Sequence, residues 1–454
     1  MNRARHNWVA TWATNMGSRF LPFADAASDD LPLSRLLRLS LFQISVGMAM
    51  VMLVGTLNRV MIVEMGVATS LVSFMVALPL LIAPFRALIG FQSDHHRSHL
   101  GWRRVPYIWM GTLMQFGGFS IMPFALLVLS GAGQSSQAPQ WVGQFGAAVA
   151  FILVGVGMHT TQTAGLALAT DLAPQDKQAK VVGLMYVMQL MGMMGSAILL
   201  GDLLYDYSPG QLIRVVQAIA VVTLVLNVIA VWKQEARSRQ RVPGSQIEES
   251  FQNSWKVFCE GPHTIRRLMA VGLGSMAFTM EDVLLEPYGG EILKLSVSST
   301  TLLTATLALG GLIGFGWASR VITRGVDPYR MASWGAWVGV PAFVAIILAA
   351  PMMSVYLFVV GVFLIGLGGG LFAHGTLTAS MNLAPPDQTG LAMGAWGAVQ
   401  ATASGLGMAL GGLLRDGVAQ LSNSVTGYST VYSIEIVMLI LTLMAMRPLL
   451  RDSK

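Results

Sequence analysis

Residues 86–107 read RALIGFQSDHHRSHLGWRRVPY, a short polar turn between two long apolar stretches. Asp94, Arg103 and Arg104 lie within eleven residues of one another, although only 11% of the chain is charged. The apolar stretch before the turn carries a single charge, Arg86, and the stretch after it carries none. Two transmembrane helices joined by a tight basic loop are typical of this pattern.

The composition of the whole chain indicates a polytopic membrane protein. Its 454 residues are 54% hydrophobic, and the mean hydropathy is +0.62, values that soluble proteins rarely tolerate. The net charge of +6 resides in loops, so it does not indicate nucleic-acid binding. The single cysteine, Cys259, excludes an intrachain disulfide and a cysteine-based metal site. We find no metal-binding motif and no catalytic motif, which favours a protein that is not an enzyme.

Twelve apolar segments are each long enough to cross about 30 Å of hydrocarbon at about 1.5 Å per residue. The sequence therefore predicts an all-α fold with twelve transmembrane helices in two six-helix bundles. The predicted spans are 39–62, 68–90, 105–129, 141–169, 178–201, 211–232, 266–288, 299–319, 329–350, 354–381, 388–414 and 428–446.

The loops predict the domain organisation and the orientation. The charged stretch 233–265 divides the chain into bundles over 39–232 and 266–446, with a tail over 447–454. Of the 28 Lys and Arg residues, 23 lie on the side that holds both termini. The positive-inside rule therefore predicts that both termini are cytoplasmic.

The N-terminal segment 1–38 has two interpretations. Trp8, Trp12, Met16 and Phe20 recur every four residues, which favours an interfacial amphipathic helix. A disordered tail with aromatic residues placed by chance remains the alternative.

The two halves of the sequence repeat at a fixed offset. Residues 172–174 and 383–385 both read LAP, 211 residues apart. The same offset relates Gly155 to Gly366, Gly157 to Gly368, Gly183 to Gly394, Gln189 to Gln400 and Gly201 to Gly412. Parallel six-helix repeats of this kind build the major facilitator fold.

Polar groups inside the predicted spans are the candidate functional residues, because burying them in a membrane is costly. One set stands near the same end of the first and seventh spans: Asn58, Arg59, Glu281, Asp282 and Glu286. We expect Arg59 to contact one of the three acids and form a gate. The alternative is that these groups simply reach the lipid headgroups.

Two histidines lie within predicted spans, His159 in the fourth and His374 in the tenth. A buried neutral imidazole can ligate the magnesium of a chlorin or carry a proton. The alternative is a hydrogen bond between helices, which is the commoner role of such a residue.

The opening loop resembles the loop between the second and third helices of the major facilitator superfamily. The resemblance is carried by Gly90, Asp94, Gly101, Arg103 and Arg104. It implies that Asp94 caps a helix or pairs with an arginine, and that the arginines lock one side of the bundle. We therefore expect Asp94→Ala to affect stability more than ligand binding.

Three longer motifs resemble the bacteriochlorophyll-delivery family, the PucC/LhaA-type branch of the superfamily in purple phototrophic bacteria. They are TLNRVMIVE at 56–64, the loop from 85 to 107, and EDVLLEPYG at 281–289. The resemblance implies a light-harvesting complex assembly factor in the inner (intracytoplasmic) membrane. It also implies bacteriochlorophyll as cofactor, with antenna polypeptides, the reaction-centre core complex and pigment-synthesis enzymes as candidate partners.

Two other functions remain open from the residues alone. The fold signals also suit a proton- or ion-coupled secondary transporter of a small solute. A scaffold that binds antenna helices without any ligand is the third reading. Pigment absorbance of the purified protein separates the first function from these two.

Overall fold

We describe a computed structural model of the chain, in which residues 23–28, 31–81, 102–131, 137–174, 177–235, 263–382 and 389–450 are described. The predicted interfacial helix before residue 23 and most of the linker 233–265 lie outside these residues. So do Arg86, Gly90, Asp94, Gly101 and the tail beyond residue 450.

The described residues are helical almost throughout and contain no β-strand. A 3₁₀ turn at Ala24–Ala26 precedes the first long helix. The helices are α1 (Leu33–Glu64), α2 (Thr69–Leu81), α3 (Val105–Leu129), α4 (Gln140–Leu172), α5 (Gln178–Leu203), α6 (Pro209–Val231), α7 (Thr264–Thr279), α8 (Leu285–Glu291), α9 (Val297–Ile322), α10 (Pro328–Ala349), α11 (Val355–Asn382), α12 (Thr389–Leu421) and α13 (Ser424–Met446).

Within the described ranges, nine helices are long and apolar enough to cross a membrane. The predicted spans 68–90, 266–288 and 388–414 correspond instead to α2, to the pair α7 and α8, and to α12. The all-α membrane fold is confirmed, whereas the count of twelve spans stays a prediction. α1 starts at Leu33, earlier than the predicted residue 39.

The two halves of the chain repeat one packing pattern. In the first half, α1 contacts α4, α5 and α6, and α3 packs against α4 and α6. In the second half, α7 contacts α11, α12 and α13, and α10 packs against α11 and α13. The halves meet along two helix pairs, α2 with α12 and α5 with α9.

The repeated glycines stand at equivalent helix crossings. A Cβ at Gly157 of α4 would lie 2.5 Å from the carbonyl oxygen of Gly111 in α3. A Cβ at Gly368 of α11 would lie 2.7 Å from the carbonyl oxygen of Gly335 in α10. Such crossings let two backbones approach closely, which is how helices associate in lipid. The offset of 211 read from the sequence therefore corresponds to one packing arrangement used twice.

Large apolar side chains cover the outer surface of the helix bundles, and polar side chains pack between the helices. Phe124 is 71% exposed, as expected of a side chain that faces lipid. Inside the first half, the Ser45 hydroxyl donates to Asn227 over 2.7 Å, and Asn227 donates to Thr112 over 3.0 Å. These hydrogen bonds join α1, α6 and α3. They help to hold the helices together, because the hydrophobic effect does not drive helices to associate within lipid.

Candidate functional site

A break in the predicted span 266–288 creates a polar region where the two halves meet. The prediction of one continuous helix is wrong, because the turn 280–284 separates α7 from α8. Pro287 explains the break, since a proline ring clashes with the carbonyl four residues earlier, here that of Val283. The Val283 carbonyl instead accepts a hydrogen bond of 2.8 Å from Asn58 Nδ2 of α1.

Arg59 lies beside this break but is paired within its own helix. Its side chain is buried, and it forms an ion pair with Glu64. Its Nη2 donates a second hydrogen bond, 3.1 Å long, to the carbonyl oxygen of Leu295 between α8 and α9. Arg59 therefore joins the two halves through a backbone carbonyl.

The predicted ion pair between Arg59 and Glu281, Asp282 or Glu286 is wrong. The segment Val60–Glu64 is a π-helical turn, and residues five apart share a side in such a turn. Glu64 thereby reaches the guanidinium that an α-helical register would turn away from it. A gating role for this cluster stays a prediction.

The acids of the break have different surroundings. Glu286 is buried, accepts a hydrogen bond from Thr304 of α9, and lies where a Cβ on Gly55 of α1 would stand. Glu281 is buried as well, whereas Asp282 is half-buried. Asp282 and Glu286 line a cavity of about 40 Å³ that Met50, Gly55 and Met193 close from the first half. The structure therefore brings Asn58 and Glu286 to one crossing between the halves.

A second set of polar contacts joins the halves where α1 ends and α2 begins. Asp416 of α12 accepts a hydrogen bond of 2.7 Å from the Ser70 backbone N–H of α2. Arg415 forms ion pairs with Asp416 and with Glu291 of α8. Sequence reasoning missed this set, although the adjacent Arg415 and Asp416 at the end of an apolar span were a usable signal.

Glu435 of α13 is a further residue that sequence reasoning missed. It is completely buried, and neither of its carboxyl oxygens has a hydrogen-bond partner. A lone acid inside a 23-residue apolar helix is by itself a signal of function in a membrane span.

His374 of α11 lies in an aromatic environment, at the opposite end of the helices from the break between α7 and α8. Its ring centroid is 4.4 Å from that of Phe315 of α9 and 5.8 Å from that of Phe23. Phe23 comes from the segment before α1, and its ring packs on Gly183 of α5. The imidazole is 8% exposed, and its Nδ1 is buried without a hydrogen-bond partner.

His159 of α4 is half-buried, and its backbone carbonyl accepts a hydrogen bond of 2.8 Å from the Thr163 hydroxyl. The two predicted histidines therefore have different surroundings, and His374 is the more deeply buried of the pair.

The described part of the opening loop is held by two acids. Arg103 and Arg104 both pair with Asp171 at the end of α4, over 3.1 and 3.0 Å. The Glu235 carboxylate, beyond the end of α6, accepts from the backbone N–H groups of Arg103, Arg104 and Val105. The arginines thus join α3, α4 and α6 at the end that holds both termini of the described chain.

Solved structures define the class of this protein. The chain aligns with a bacterial homologue of the human lysosomal transporter Spinster, in an inward-facing conformation, at a TM-score of 0.67 and 14% identity. That alignment covers 92% of this chain and 98% of the other. A bacterial homologue of the iron transporter ferroportin aligns at a TM-score of 0.67 and 16% identity, over 91% and 97% of the two chains. The protein is a multi-pass membrane protein with the major facilitator fold.

Sequence relatives narrow this class to one family. A family model described as PUCC protein matches residues 56–454, so the chain belongs to the PUCC family. It is 59% identical to Protein PucC of Rhodovulum sulfidophilum, over 96% of each chain. It is 54% identical to Protein PucC of Cereibacter sphaeroides, over 98% of each chain. A distant relative, 25% identical over 90% of this chain and 94% of its own, is the Bacteriochlorophyll synthase 44.5 kDa chain of Rhodobacter capsulatus.

Proposed function

We propose that this chain assembles light-harvesting complexes by binding bacteriochlorophyll and delivering it to antenna polypeptides in the inner membrane. The proposal rests on membership of the PUCC family and on a relative whose name refers to bacteriochlorophyll. The solved structures with the same fold are transporters by title, which suits a protein that moves a ligand and catalyses no reaction.

The observation that carries the pigment assignment is the environment of His374. A chlorin needs an axial ligand for its magnesium and apolar surfaces for its ring. His374 offers an imidazole whose Nδ1 has no hydrogen-bond partner, next to the ring of Phe315. These residues offer the pigment a ligand atom and an apolar surface, and its magnesium would supply a Lewis-acid centre for the imidazole to hold.

Phe23 covers this imidazole from the segment that precedes α1. Its backbone has a φ of 64°, a left-handed conformation that residues other than glycine rarely adopt. Asp25 of the same segment pairs with Lys180 of α5 over 2.5 Å, so the segment is tied to the first half. We infer that moving this segment aside gives pigment access to His374.

The proposed orientation places both termini in the cytoplasm. On that side Phe23 closes the space between α5, α9 and α11. Antenna polypeptides would meet the protein within the membrane, and the core complex and pigment-synthesis enzymes are further proposed partners.

A deletion strain of a purple phototrophic host tests the function. We expect loss of the chain to deplete an antenna complex while the pigment-synthesis enzymes stay at their usual level. Antenna complexes at normal levels in that strain, with no related gene expressed, would contradict the proposal.

Complementation by variants tests the site. We expect wild-type protein and His263→Ala to restore the antenna, because His263 is exposed at the start of α7. We expect His374→Leu to accumulate in the membrane without restoring it. Full restoration by His374→Leu would remove His374 from the proposal and leave the family assignment untouched.

A further inference from the structure

Two buried carboxyl groups, those of Glu281 and Glu435, lie near the break between α7 and α8. Glu281 stands in the turn of the break and is 1% exposed, and Glu435 of α13 is 0% exposed. Glu435 lies within electrostatic range of Glu281. One oxygen of Glu281 and both oxygens of Glu435 have no hydrogen-bond partner.

No cation neutralises these carboxyl groups within the described part of the chain. Of the cations at this end, Arg59 is paired with Glu64, and Arg415 with Glu291 and Asp416. The others, Arg214 and Lys294, are exposed. An unpaired carboxylate in a low-dielectric interior is very costly, and such a group takes a proton instead.

The other titratable groups around the pair do not supply a positive charge either. Asp282 lies in the same turn as Glu281 and acts electrostatically on both carboxyl groups. Tyr288 of α8 and two tyrosines of α13, Tyr428 and Tyr432, complete the surroundings. The pair is therefore surrounded by acids and phenols.

Of the three tyrosines near the pair, Tyr432 is the one whose hydroxyl group has no hydrogen-bond partner. The Tyr288 hydroxyl donates to the Ile346 carbonyl over 2.9 Å, and the Tyr428 hydroxyl donates to Glu291 over 2.9 Å. The Tyr432 hydroxyl is completely buried near Glu281 and Glu435 and has no partner. A protonated carboxyl group has an O–H donor, which a carboxylate lacks. Protonation would therefore give the unpartnered oxygen atoms of Glu281, Glu435 and Tyr432 a hydrogen-bond donor.

The cavity at the break provides a route for the proton. Asp282 follows Glu281 directly in the chain and lines the cavity of about 40 Å³ between the halves. The cavity is lined mostly by apolar residues, but Asp282, Glu286 and Thr304 give it three polar partners for water. It has room for water, since one water needs about 10–15 Å³ of such volume. Asn58 of α1 binds the Val283 carbonyl in the same turn, so separation of the halves would disturb the turn that carries Glu281.

We propose that Glu281 and Glu435 form a proton-binding site inside the membrane, filled through Asp282 from the cavity between the two halves. Binding a proton on each carboxyl group removes both unpaired buried charges and lets the halves close on each other. Opening the contact between Asn58 and Val283 admits water to the turn and releases these protons. This site goes beyond the proposed pigment function and does not depend on it.

Infrared spectroscopy of the purified full chain in lipid nanodiscs tests the site. We expect the wild type at neutral pH to show a carboxylic-acid C=O band that shifts in D₂O. Glu281→Gln and Glu435→Gln should each reduce this band, and the double variant should reduce it further. Absence of the band in the wild type overturns the proposal whether or not the variants fold.

Glu291→Gln is the matched control. Glu291 is a neighbouring acid of α8 that forms an ion pair with Arg415, so its replacement should leave the band unchanged. A band that is kept in full in Glu281→Gln and in Glu435→Gln overturns the assignment, whatever the control shows. Loss of the wild-type band on adding sodium at constant pH would assign the site to a metal cation, which also overturns it.

Discussion

Glu235→Ala should destabilise the fold at the end that holds both termini. The Glu235 carboxylate accepts three backbone N–H groups at the start of α3, over 2.6 Å from Arg103, 3.1 Å from Arg104 and 2.9 Å from Val105. These are donors that the first turn of a helix cannot satisfy internally. One half-buried side chain therefore fixes the end of α6 against the beginning of α3.

The size of the effect follows from these contacts. Losing a helix cap costs about 0.5–2 kcal/mol, and losing a carboxylate at the positive end of a helix costs about 0.3–1 kcal/mol. Because one carboxylate serves three donors, we expect a loss of about 2 kcal/mol in the free energy of unfolding. Glu235→Gln keeps one acceptor oxygen but no charge, so it should lose about 1 kcal/mol.

Unfolding by SDS in lipid bicelles measures these losses. Asp202→Ala removes an exposed acid at the other end of the first half and should change the free energy by less than about 0.5 kcal/mol. A Glu235→Ala protein as stable as the Asp202→Ala control would refute the capping argument. A Glu235→Gln protein less stable than Glu235→Ala would refute the role of the acceptor oxygen.

Further variants test three other features of the structure. Glu64→Gln should cost about 1–3 kcal/mol on unfolding, because it unpairs the buried Arg59, and Arg59→Gln in the same chain should recover part of the loss. Gly157→Ala and Gly368→Ala should lower the thermal stability by similar amounts, about 1–3 kcal/mol each; a large effect at one site alone would contradict the repeated packing. Phe23→Ala should speed chemical modification of the His374 imidazole, and an unchanged rate would show that the Phe23 ring does not cover His374.

The fold could be predicted because membrane helices leave strong local signals. Long apolar segments gave the spans, and the offset of 211 between Gly157 and Gly368 gave the repeat. Such glycines are needed wherever two backbones cross closely. The sequence also held a signal for the break after α7, since Pro287 lies inside the predicted span 266–288, one residue before its end.

The partners of the charged residues could not be predicted with the same success. Arg59 pairs with Glu64 because of a π-helical turn, and a reading at 3.6 residues per turn places the two on different sides. The charge of the stretch 233–265 predicts a linker that contains Glu235, and nothing local in it indicates the partner Val105, which is 130 residues away in sequence. Tertiary contacts of this kind have no local pattern.

The candidate site shows the same division. Asn58, Glu281 and Glu286 were found as polar residues inside apolar spans, and Glu435 could have been found in the same way. Which of these residues has a partner depends on packing between helices, which the sequence alone does not give.

The most direct test of the central claim is the absorbance spectrum of the protein purified gently from phototrophic membranes. We expect bacteriochlorophyll bound at close to one molecule per chain in the wild type, and its loss in a His374→Leu protein of equal thermal stability. Wild-type protein that is folded and monodisperse but free of pigment would contradict the claim.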